Sequence, residues 1–100
     1  MMTLATLATL FSTPVLAQEF SKAESCDYQS QVVAAVQQAR KDRVRERDVP
    51  QAIADTNPTW PANFSNAIPL IAPWVYEQKM SIIRNEDLAA VWKDLCLKQP

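Results

Sequence analysis

Cys26 and Cys96 are the residues best equipped for chemistry in this sequence, and they are its only cysteines. A thiol can act as nucleophile, redox centre, metal ligand or half of a bridge. A nucleophilic thiol needs a neighbouring base, and the sequence has no His, the commonest one. The two are 70 positions apart, not in a C-x-x-C arrangement that would lower a thiol pKa. Two Cys and no His also fall short of the four ligands of a structural zinc site. In an exported chain the remaining reading is a disulfide between Cys26 and Cys96, with two buried free thiols as its competitor. Closing a loop of this length contributes about 4 kcal/mol in the chain-entropy model, comparable with the whole stability of a small domain.

Other reactive groups lack partners. Ser30, Ser65 and Ser81 have no His to activate them. Glu86 and Asp87 are adjacent acids at a helix start, and Glu77 stands singly beside Tyr76. Carboxylate cation sites of the EF-hand type need D-x-D-x-D spacing and a Gly, and the sequence contains neither. With no Gly at all, phosphate-cradling loops and dinucleotide folds are excluded, and tight β-hairpins are disfavoured. No catalytic residue, metal site or cofactor is expected. A net charge of −1 gives no reason to expect nucleic acid or a strongly anionic membrane as partner.

Two features could contact a partner. The run RKDRVRERD holds Arg40, Lys41, Arg43, Arg45 and Arg47 against three acids, and Arg43 and Arg47 are its candidate contacts. The competing reading is a solvated helix end with pairs such as Asp42 with Arg45. Trp60, between Pro58 and Pro61, either caps the core or meets a partner. Phe64 and Trp92 are expected in the core.

The elements that position these residues follow from the pattern. MMTLATLATLFSTPVLAQEF has an uncharged apolar run, then Pro14, then Val15 and Ala17 as small residues before a cleavage point. The expectation is a signal peptide over residues 1–17, cut after Ala17, although no basic residue stands near Met1. The run is too short for a ~30 Å bilayer core, which needs ~20 residues. Residues 18–100 then form one domain with no integral membrane segment, small enough to benefit from a covalent staple.

Within it, SKAE offers a capping box for a first helix over about residues 23–45, with Cys26, Val33, Val36 and Val44 at helical spacing. Asp48 and Pro50 start a short helix to about Asp55. Pro61 opens a longer helix to about Lys79 or Ile83, kinked or broken near Pro69. Asn85 caps a last helix in which Leu88, Val91, Trp92, Leu95 and Cys96 share one stripe facing the core. The expected fold is all-α, a small bundle of three to five helices, with the first and last joined by the disulfide.

The segments CDYQSQVVAAVQQAR, RDVP, NAIP, WVYE and LAAVWKDLC resemble a family of small exported bacterial helical proteins with one disulfide and no recognised activity. The resemblance covers the chain after residue 17 and implies a periplasmic helical domain. In size and build it is also similar to periplasmic acid-stress chaperones and to immunity proteins that block cell-wall-degrading effectors. No motif of either group matches residue by residue, so the resemblance assigns no functional residues. The expected function is a non-enzymatic periplasmic protein-interaction module, inhibitor-like, immunity-like or accessory. The alternative is a chaperone-like envelope-stress protein, and the third reading is a small-ligand binder or envelope enzyme.

Overall fold

The computed structural model describes residues 20–100, so the expected signal peptide over residues 1–17 lies outside the described residues. The first helix, α1 (Lys22–Lys41), starts where the capping box places it. The Ser21 hydroxyl accepts from the Glu24 amide at 3.1 Å, and the Glu24 carboxylate accepts from the Ser21 amide at 3.0 Å. Its end is earlier than the charge pattern suggested. Arg43 turns into the left-handed region at φ 63°, its amide donates to the Arg40 carbonyl, and the Val44 amide donates to the Ala39 carbonyl, both at 3.0 Å. This paired closure satisfies the last carbonyls and stops the helix, so Val44 and Arg45 lie beyond it.

A 3₁₀ turn (Glu46–Asp48) leads into α2 (Val49–Ala54), with Pro50 in the first turn, where its missing N–H is no loss. Asp48 stands at the cap position but its side chain makes no capping hydrogen bond, because the preceding 3₁₀ turn already shapes the entry. The long proline-opened helix of the sequence pattern is divided into three. A 3₁₀ segment (Ala62–Ala67) is followed by α3 (Ile68–Tyr76) and α4 (Met80–Asn85). Pro69 sits in the first turn of α3, so it starts a helix rather than kinking one. Lys79 is extended at ψ 150° and separates α3 from α4. Asn85 ends α4 instead of capping the last helix. Asp87 does that, accepting from the Ala90 amide at 3.0 Å at the start of α5 (Leu88–Leu97).

The fold is therefore all-α, with five α-helices and no strand among the described residues. α1 is the spine, and both α5 and α3 pack against it. Valines and isoleucines fill the centre: Val32, Val33 and Val36 from α1, Val49 and Ile53 from α2, and Ile68, Ile71 and Val75 from α3, closed by Ile83 and Leu88. Each such side chain contributes roughly 1.5–3 kcal/mol on leaving water. β-branched residues cost α1 a little helix propensity, and complete burial more than offsets that. Phe64 is half-buried, packed with Phe20 and Tyr28 at centroid distances of 5.4 and 5.1 Å in an aromatic cluster beside the core. No helix among the described residues is long and apolar enough to cross a membrane.

Candidate functional site

Both ends of α1 carry a concave surface, and the two differ in chemistry. At the amino-terminal end Cys26 is joined to Cys96 of α5, with Cα atoms 5.7 Å apart. The bridge fixes the last helix to the first. Side chains add to the clamp: Trp92 Nε1 donates to Gln29 Oε1 at 3.0 Å, and Lys93 Nζ pairs with Asp27 Oδ1 at 3.1 Å. Hydrogen bonds from Lys93 and Gln31, with the Lys93 charge, hold the Asp27 carboxyl below its usual range. A shallow groove of about 500 Å³ runs beside the bridge, lined by Ser25, Gln29, Trp92, Leu95 and Gln99.

Here the expected core-facing stripe of α5 needs correction. Leu88 is buried and Trp92 and Cys96 are half-buried, but Val91 and Leu95 are exposed, Leu95 at 52%. A stripe at i, i+3, i+4, i+7 and i+8 is broader than the contact that one neighbouring helix covers. α5 packs chiefly on α1, so only the inner edge of the stripe is closed over. Trp92 contacts Trp74 at a centroid distance of 5.4 Å, and this pair seals the inner side.

At the carboxyl-terminal end of α1 a second groove, about 510 Å³, is lined by Arg40, Arg43, Arg45 and Arg84 with Glu46 and Tyr76. The Tyr76 hydroxyl donates to the Val44 carbonyl at 2.6 Å and so anchors the turn that carries Arg43 and Arg45. Burial pushes the Tyr76 hydroxyl pKa up, opposed by the nearby Arg40 charge and assisted by Glu46. The Arg40 guanidinium carbon lies 5.2 Å from the Tyr76 ring centroid. The suggested pairing of Asp42 with Arg45 does not form, since the helix ends between them. Asp42 accepts instead from Gln38 Nε2 at 3.1 Å.

Arg43 and Arg47 fall in adjoining grooves that share Glu46, the second bounded by Pro50, Pro69 and Ala72. Trp60 is among the lining residues of neither. It is half-buried against the core, and its Nε1 donates to Ser65 Oγ at 2.8 Å. The pattern of residues pointed to Arg43 and Arg47 but missed Arg84 and Tyr76. They sit 37 and 29 positions beyond Arg47 on separate helices, so no local spacing could have joined them to the run.

Two of the three serines singled out in the sequence are engaged locally. Ser30 donates to the Asp27 carbonyl at 2.7 Å, and Ser65 holds Trp60. Among the described residues no three His, Cys, Asp or Glu side chains cluster to hold a metal ion. Comparison with known proteins found no matching family model, no matching curated protein and no matching solved structure.

Proposed function

We propose that this chain is a non-enzymatic interaction domain of an oxidising envelope compartment, the bacterial periplasm, where it docks onto another protein. The observation that supports this is the outer edge of α5. Val91 and Leu95 stand one turn apart and exposed, and Leu95 lines a groove walled by Trp92 and the disulfide. With Leu97, three large apolar side chains of α5 are left in water on a helix that the disulfide ties to α1. A rigid helix with an apolar outer edge and an adjacent aromatic suits a partner that lays an amphipathic helix against it. Compartment and docking fit together, because a disulfide persists where the surroundings oxidise thiols.

The alternative is a chaperone-like envelope-stress protein, which would expose apolar surface when conditions change. Co-purification of the oxidised chain from envelope extract, followed by titration against the purified partner, tests the proposal. Saturable one-to-one binding is expected, lost in Leu95→Lys and retained in Leu70→Lys, a control on α3 that is 78% exposed. Equal loss in both variants, or loss in neither, removes the α5 edge as the docking surface. Near-UV signal lost at low pH with dye binding would favour the chaperone reading instead.

A further inference from the structure

The arginine groove has no role in docking at α5, which lies at the opposite end of a 20-residue helix about 30 Å long. Its charges converge from two directions. Arg40 comes from the last turn of α1, Arg43 and Arg45 from the turn beyond it, and Arg84 from α4. Four arginines and one carboxylate, Glu46, line it, in a chain whose net charge is −1. The ion pairs among the described residues, Lys93 with Asp27 and Lys98 with Asp94, use none of the four. Gathering like charges in one concavity is unfavourable unless an anion balances them.

Two local observations point the same way. The Arg40 Nε is buried and has no hydrogen-bond partner. A buried donor left without an acceptor is costly, and since Nε itself is closed off against the Tyr76 ring, an anion in the groove would meet Arg40 through its outer guanidinium nitrogens. Arg43 occupies the left-handed position after α1, where Gly or Asn is the unstrained choice. A strained backbone at a charged side chain fits a residue held there for what its side chain does.

We propose that this groove binds a phosphoryl group carried on a small organic molecule. Guanidinium forks match the oxygens of phosphate and carboxylate, but a phosphoryl dianion balances more of the excess of three positive charges and offers oxygens to several forks at once. Val44 and Met80 also line the groove, and they give the organic part of an ester an apolar surface that free phosphate would leave uncovered.

Calorimetric titration of the oxidised chain at low ionic strength, with phenyl phosphate and with benzoate, tests this. Phenyl phosphate is expected to saturate one site about tenfold more tightly than benzoate. Arg84→Gln and Arg43→Gly should each weaken it about tenfold, while Arg47→Gln, from the neighbouring groove, should leave it unchanged. Arg43→Gly relieves backbone strain, so its loss of binding cannot be ascribed to unfolding. Phosphatidylcholine vesicles with and without phosphatidylglycerol distinguish the source. Sedimentation with the anionic vesicles that Arg84→Gln abolishes assigns a lipid headgroup, and its absence alongside phenyl phosphate binding assigns a soluble ester. Benzoate binding as tightly as phenyl phosphate, a response unchanged in Arg84→Gln and Arg43→Gly, or no response to phenyl phosphate or the anionic vesicles overturns the proposal.

Discussion

The Gln37 side chain reaches from the middle of α1 to the Leu88 amide, its Oε1 accepting that N–H at 3.2 Å. Its Nε2 donates to the carbonyls of Ile83 at 2.7 Å and Glu86 at 2.8 Å. One buried amide thus satisfies the end of α4 and the start of α5 together, at the sharp junction where neither helix can satisfy the other. Gln37→Leu removes all three bonds and strands the buried Ile83 carbonyl and Leu88 amide. A loss of about 3 kcal/mol is expected, which lowers the melting temperature by roughly 15 °C in a domain of this size. Gln37→Glu at neutral pH keeps the acceptor and loses both donors, so its deficit should shrink as acid restores one donor. Thermal melts at pH 7 and pH 4 check both variants; a Gln37→Glu melt with no pH dependence beyond the native chain's refutes this account.

Gln37 also marks the limit of what the sequence discloses. Helix existence, the capping box and the disulfide were legible, because each depends on residues whose types have few alternatives: Ser21 with Glu24, and two cysteines with only each other. Boundaries were less so. The end of α1 depends on Arg43 accepting a left-handed conformation, and a sequence without Gly carries no signal for that. Gln37 reads as one polar residue on a helix, because its three partners are 46 to 51 positions away. Arg84 and Tyr76 were hidden for the same reason. The apolar stripe of α5 was visible, but which of its edges meets α1 is settled by packing, not spacing.

The Cys26–Cys96 bridge closes nearly the whole described chain into a loop, so its removal should act mainly through the unfolded state. Cys26→Ala with Cys96→Ala is expected to cost about 4 kcal/mol. Hydrogen exchange should show the carboxyl-terminal half of α5 losing protection before α1 and α3, since Trp92 to Gln29 and Lys93 to Asp27 are left to hold it beyond the Gln37 contact at Leu88. A thiol label applied before reduction should add no mass and, after reduction, two adducts. A double variant that melts within a degree or two of the native chain contradicts the staple.

Tyr76 gives the fold an alkaline limit. Burial raises its hydroxyl pKa above the ordinary value despite the Arg40 charge, and Glu46 adds to the rise. A phenol whose pKa is higher folded than unfolded contributes stability fully below about pH 10, where both forms are neutral, and loses it as pH rises through the folded value. Ionisation also removes the donor to the Val44 carbonyl. Urea unfolding from pH 8 to 11 should therefore show a steeper alkaline decline for the native chain than for Tyr76→Phe. The variant should start about 1 kcal/mol less stable from the missing hydrogen bond. Parallel curves across that range count against this role.

Arg43 sets stability against binding, and one substitution should move the two in opposite directions. Its φ of 63° places a side-chain-bearing residue where the Cβ crowds the following carbonyl, a cost of roughly 1–2 kcal/mol that Gly avoids. Asn57, at φ 53° after α2, meets the same geometry with a residue that tolerates it. Arg43→Gly should therefore stabilise by about 1 kcal/mol, or roughly 5 °C, after the extra unfolded-state freedom of Gly is deducted. Arg43→Asn should fall between the two, and Arg43→Val should destabilise, because a β-branched side chain fits the left-handed region worst. Measured beside phenyl phosphate affinity, the Gly variant should be more stable and bind more weakly. A Gly variant that is less stable than the native chain would mean that Arg43 holds the turn together rather than being held in it, and the strain argument for the groove would fall.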